Sequence, residues 1–132
     1  MSTFRSTEEA QEYFREDHFA TDNGMKIDEI GDGWSVCSME IEERHRNANH
    51  GVMGGAIFTL ADLAFAAASN NTHVQTVAQQ VSVNFLSGSR GTRLTAKAVC
   101  RKDGRTTAVY NVDVTDDLGR DIAELVFTGF KL

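Results

Sequence analysis

The chain has 132 residues, enough for one domain with a buried core and too few for two. Its 13 basic residues against 19 acidic ones give a formal charge of -6, which argues against a nucleic-acid binder working by bulk electrostatics. Its first residues show neither the basic start nor the apolar run of a signal peptide, and Cys37 and Cys100 lack metal-ligand spacing. The expectation is a single cytoplasmic domain over residues 1–132 with two small buried thiols, no metal, and small molecules or its own copies as partners.

Glycine is the only punctuation, because the chain contains no proline. Ser6-Thr7-Glu8-Glu9 fits a capping box, with the Ser6 hydroxyl accepting from the Glu9 N–H and the Glu9 side chain reaching back. It predicts an amphipathic helix to about residue 19, broken by Asn23-Gly24. Residues 25–30 and 34–43 read as a hairpin around Gly31-Asp32-Gly33, with Cys37, Met39 and Ile41 on one face. Residues 44–55 are polar, then glycine-rich, without period, and read as a loop.

Residues 56–68 are strong helix formers in which only Thr59 and Asp62 are polar, so this helix must be buried on nearly every side. It is shorter than the roughly 20 apolar residues of a membrane span. Ser69-Asn70-Asn71 should end it. Downstream the pattern has period two: Val77, Gln79, Val81, Val83 and Phe85 share one face, then Leu94, Ala96, Ala98 and Cys100. After a turn at Lys102-Asp103-Gly104-Arg105 come Ala108, Tyr110, Val112 and Val114, and a last strand follows over 121–130. A helix without a wet side implies an α+β layout in which a curved antiparallel sheet of five or six strands wraps around it.

Asp62 is the most informative residue, because an unpaired ionised carboxylate is costly to bury. Helical spacing puts it beside Phe58, Phe65 and Ala66, surroundings that raise a carboxyl pKa and make a competent base; the other reading is an acceptor for neighbouring backbone N–H groups. Met53-Gly54-Gly55 opens the same helix, where free N–H groups and the helix dipole favour a negative oxygen and glycine allows close approach. Together they supply a base and an oxyanion hole, the parts acyl transfer needs. Eight residues of helix separate Gly54 from Asp62 by about 12 Å, so one carbonyl can meet both only if a second chain lies antiparallel across a two-fold axis.

Asn47, Met53-Gly54-Gly55 and Asp62, set in Gly-Gly-Ala-Ile-Phe-Thr-Leu-Ala-Asp-Leu-Ala-Phe-Ala, resemble the signature of the PaaI-type hotdog-fold acyl-CoA thioesterases, over about residues 47–70. The resemblance implies a hotdog fold, a homodimer or dimer of dimers, and hydrolysis of a short-chain or aromatic acyl-CoA, with coenzyme A entering as part of the substrate and no separate cofactor. It places the oxyanion N–H on Gly54, a thioester-holding role on Asn47, and a base or nucleophile from the partner chain on Asp62. The family usually has histidine where this chain has Met53, and methionine offers only a weak acceptor. Met53 and Gly55 are expected to line the substrate site, and His50 to be a solvent-exposed loop residue.

Arg90, Arg93, Lys97, Arg101, Lys102 and Arg105 form a basic stretch in an acidic chain. Arg90, Arg101, Lys102 and Arg105 are candidate contacts for coenzyme A phosphates; solvated residues guarding strands and turns are the plain alternative. Two rival functions are a non-catalytic acyl-CoA or small-ligand binding protein and a hydratase or dehydratase of the same fold. Met53 weighs against the second, whose pattern has a catalytic histidine.

Overall fold

The chain is described over residues 2–132 in a computed structural model. Ser6 caps the first helix, α1 (Thr7–Phe14), by accepting the Glu9 N–H at 3.1 Å. The Glu9 carboxylate does not reach back; it pairs with Arg5 at 3.3 Å. Nor does α1 continue to residue 19: the Asp17 N–H bonds the Phe14 carbonyl at 3.0 Å, the chain turns, and a separate short helix α2 (His18–Asp22) follows.

The hairpin forms as β1 (Lys26–Gly31) and β2 (Trp34–Glu40), joined through Gly33 at φ 77°, a conformation that suits glycine. The second strand ends at Glu40 rather than residue 43, and Glu43–His45 forms a 3-10 turn. His45 is buried there: Nδ1 accepts the Glu42 N–H at 2.9 Å, so Nε2 carries the proton and donates to the Asn23 carbonyl at 2.8 Å. The expected loop is therefore partly ordered by backbone bonding, including a bridge between Arg46 and Val52.

The apolar helix, α3 (Gly54–Thr72), is longer at both ends than its pattern predicts. Ser69-Asn70-Asn71 does not terminate it, because all three are buried inside it. Asn71 accepts the Phe4 N–H at 2.9 Å and donates to the Gly31 carbonyl at 2.8 Å. Asn70 accepts the Thr76 N–H at 3.0 Å and donates to Ala66 and Thr76 carbonyls. These amides tie the helix end to the sheet and the N-terminal segment, which satisfies their burial.

The remaining strands are β3 (Thr76–Phe85), β4 (Arg93–Asp103), β5 (Thr107–Asp116) and β6 (Asp121–Lys131). Among the described residues, the six strands form one antiparallel, curved sheet in the order β1-β2-β4-β5-β6-β3. Its inner face packs on α3: Phe65 stacks on Phe127 with centroids 4.7 Å apart and meets Tyr110 edge-on at 5.6 Å. Truncating such a buried ring to alanine costs about 3–5 kcal/mol.

Of two bulges in these strands, the first alters a predicted face and the second leaves the inward face of Leu94, Ala96, Ala98 and Cys100 as predicted. The register of β3 on β6 slips between Ala78 and Gln80, which moves Val77 opposite Phe130 on the outer face while Val81, Val83 and Phe85 pair with Phe127, Leu125 and Ala123 on the inner one. One extra residue inverts the alternation, so Val77 does not share a face with the later valines. The second bulge lies between Cys100 and Lys102, and β4 runs through Lys102 and Asp103, which were expected in the turn. Cys37 is buried as anticipated, but Cys100 is only half-buried beside that bulge.

Candidate active site

The wrapped helix has one incompletely covered side. Gly55 is exposed, and Phe58, Thr59, Asp62 and Ala66 are half-buried, a stripe at helical spacing. The remaining faces lie against the sheet, α1 and α2. Phe65 is thus not a neighbour of Asp62 on that stripe, since its ring is buried on Phe127.

Asp62 opens into a cavity of about 340 Å³ lined by Asp17, His18, Phe19, Ala20, Phe58, Thr59 and Leu63. Burial raises its carboxyl above the usual carboxylate range, and the nearby Asp17 carboxylate raises it further. Among the described residues no hydrogen-bond or ion-pair partner satisfies it, so it is not serving as an acceptor for strand or loop N–H groups. Asp17 escaped the sequence reading because it approaches Asp62 only through the turn between α1 and α2, where an unbroken helix was expected.

At the start of α3 the Ala56 and Ile57 N–H groups already bond the Met53 carbonyl, at 3.0 and 3.2 Å. The N–H groups of Gly54 and Gly55, the first of the helix, have no intrahelical acceptor. Gly54 also lies under Phe85: a Cβ there would meet Phe85 Cζ at 3.1 Å. Met53 is exposed and, with Gly55, Phe19, Phe58, Arg44 and His45, lines an apolar chamber of about 420 Å³ adjoining the Asp62 cavity.

Asn47 is exposed on the preceding loop. Its Oδ1 accepts the Asn49 and Gly51 N–H groups at 2.9 and 3.1 Å, which shapes the loop and leaves Nδ2 to donate outward. His50 is exposed at φ 66° on the same loop, as expected of a solvated residue.

The basic residues divide. Arg90 lies in the loop before β4, and Arg101, Lys102 and Arg105 at the far end of that strand, about 30 Å away at roughly 3.3 Å per residue. One coenzyme A phosphate cannot meet both groups of the same chain. Arg93 is occupied, donating to the Ser38 hydroxyl at 2.9 Å and lying 3.6 Å from Asp28 and 3.7 Å from Glu40. Arg101, Lys102 and Arg105 are exposed beside the bulge of β4.

Comparison with known proteins bears on the family and the fold. The sequence profile of the Thioesterase superfamily matches residues 49–123, which include α3 and Asp62. The acyl-coenzyme A thioesterase PaaI of Escherichia coli is 30% identical over 120 residues, covering 90% of this chain and 86% of the relative. The solved structure of the E. coli PaaI protein from the phenylacetic acid degradation operon superposes with a TM-score of 0.88 at 27% identity, covering 93% of this chain and 90% of that one. A hypothetical thioesterase of Streptococcus pneumoniae, solved with coenzyme A, superposes at 0.81 with 30% identity, covering 89% of this chain and 94% of that one.

Proposed function

The chain belongs to the Thioesterase superfamily, and we propose that it hydrolyses the thioester of a short-chain or aromatic acyl-CoA at sites shared between two copies of itself. The observation that carries this reading is the half-buried, unpaired Asp62 on an apolar helix whose first N–H groups have no intrahelical acceptor. The ionised Asp62 accepts a proton from water attacking the thioester carbonyl, or attacks that carbon itself to form a mixed anhydride that water then cleaves to the free acid; in both routes the C–S bond breaks and coenzyme A departs as the thiolate, which takes up the proton. Negative charge developing on the carbonyl oxygen is held by the Gly54 N–H of the facing chain.

Two features support the dimer. Gly54 and Asp62 stand about 12 Å apart along one helix, too far to serve one carbonyl. The stripe of Phe58, Thr59, Asp62 and Ala66, left half-open in a single chain, is the surface a second antiparallel α3 would cover. Met53 and Phe58 line the chamber beside Asp62 and form an apolar wall for the acyl group, and the free Nδ2 of Asn47 donates to the thioester. Arg101, Lys102 and Arg105 receive the phosphates of the coenzyme.

Thiol release from a panel of acyl-CoAs, run beside Asp62→Asn, tests the proposal. Release by the wild type and its loss in the variant are expected. Tight acyl-CoA binding without release would instead identify the non-catalytic binding protein that Met53, standing where the family has histidine, keeps as the alternative.

A further inference from the structure

Asp17 occupies the N-cap position of α2, yet its carboxylate makes no capping hydrogen bond. Aspartate at that position ordinarily accepts from the first-turn N–H groups. The ion pair nearby also bypasses it, since His18 Nε2 lies 3.2 Å from Glu16. Asp17 lines the same cavity as Asp62, whose other walls include Phe19 and Phe58. We propose that Asp17 is a positioning residue for the hydrolysis, its carboxylate sharing the cavity with Asp62 so that Asp62 works as a stronger base than its burial alone would make it. This rests on the reading of Asp62 as the base.

The surroundings leave Asp17 as the charge that acts on Asp62. The start of α2 contributes Asp17 and His18 as the ionisable groups of the cavity, and α3 contributes, besides Asp62, only the uncharged Phe58, Thr59 and Leu63. Arg44 and His45 line the adjoining chamber, and Arg15 and Lys26 face the opposite side of Leu63. His45 is engaged by the Glu42 N–H and the Asn23 carbonyl. Like charges sharing a partly dry cavity disfavour double ionisation, so the proton is held more tightly by the pair than by either group alone. Burial likewise raises Asp17, with His18 opposing.

A base so tuned abstracts a proton more readily once ionised, and its ionisation moves to higher pH. Asp17→Asn keeps an N-cap residue at an exposed position, so the fold survives, and Asp17→Glu keeps the charge. The experiment is a carboxyl-carbon NMR titration of Asp62 in the wild type and both variants, beside kcat/KM for acyl-CoA against pH. In Asp17→Asn the Asp62 midpoint and the acidic limb of the rate profile should both move to lower pH, and the plateau should fall by roughly two- to five-fold. In Asp17→Glu both should stay near the wild-type position. An Asp62 midpoint identical in wild type and Asp17→Asn overturns the proposal, even if turnover falls, because a merely structural role lowers the plateau without moving the titration. If the wild type releases no thiol from any acyl-CoA, the hydrolytic reading fails, while the NMR midpoint still decides whether the two carboxyls are coupled.

Discussion

Phe85 covers Gly54: a Cβ on the glycine would lie 3.1 Å from the ring, so the residue is small for a packing reason as well as for ligand approach. An alanine variant would therefore disturb the ring and leave the N–H in place. Gly54→Pro adds the same Cβ and also removes the N–H, so the difference between the two variants reads the donor itself. Gly54 is the first helical residue, where proline is tolerated, and Met53 at φ -60° and ψ 136° already has the extended backbone required before proline. Thioester hydrolysis should fall by about 10²–10³, the loss typical of one oxyanion donor. Unaltered turnover in a folded Gly54→Pro protein would remove that role.

In the proposed arrangement the two parts of each site come from different chains, so subunits inactivated by Gly54→Pro and by Asp62→Asn should complement one another. A mixed dimer carries one site with both lesions and one with neither. Co-refolding the two should restore hydrolysis, and a protein active as a monomer by sedimentation would contradict this arrangement.

Asp62→Asn should cut hydrolysis by about 10²–10⁴ while leaving the fold intact. Its effect on stability has a definite sign. The folded carboxyl is raised above its unfolded value, so its contribution to stability is complete below about pH 4 and is lost as pH rises through the raised folded value. Near neutrality the uncharged asparagine should thus unfold at a higher temperature than the wild type, and the difference should close in acid. Calorimetry at two pH values reads both.

Asp116 behaves in the opposite sense. Against desolvation, which would raise it, hydrogen bonds from the Arg120 and Arg90 N–H groups, the Ser89 hydroxyl and the Leu118 N–H draw its carboxyl down to about 2. Its stabilisation is present above the unfolded value near pH 4 and is lost as pH falls through about 2. Asp116→Asn should therefore lower the melting temperature at neutral pH by loosening the loop before β4 and the turn into β6, with the gap narrowing in strong acid.

Reversing charge at Arg101, Lys102 and Arg105 together should raise KM for acyl-CoA more than for a truncated thioester lacking the nucleotide. Arg90, at the other end of β4, should be reversed separately. Equal effects on the two substrates would make the three residues ordinary solvated surface.

Met53 offers a test with two possible signs. Met53→His should raise activity if the side chain stands where a donor can orient the thioester, and lower kcat/KM across the panel if it forms the apolar chamber wall it lines beside Phe58. A fall, in a protein that remains folded, would assign it to the substrate pocket.

Elements whose cause is local or periodic are legible in the amino-acid sequence. Ser6 names a helix start because its hydroxyl acts three residues away, and the apolar run around Asp62 names a buried helix because no other placement removes so much apolar surface from water. It also isolated Asp62, since a carboxylate among alanines and phenylalanines is chemically conspicuous wherever it lies. Tertiary structure alone decided what depends on residues distant in the chain. A single-residue bulge changed which side chains of β3 share a face, because pairing with β6, rather than alternation along β3, sets the register, whereas the faces read for β4 and β5 held. Ser69, Asn70 and Asn71 read as a stop, yet they stay helical because the sheet and the N-terminal segment supply their hydrogen bonds. Asp17 reaches Asp62 only because the chain turns after Phe14, and the basic residues separate because the length of β4 lies between them. Local chemistry can be read along one dimension, whereas the partner of a buried charge is fixed by how the chain returns on itself.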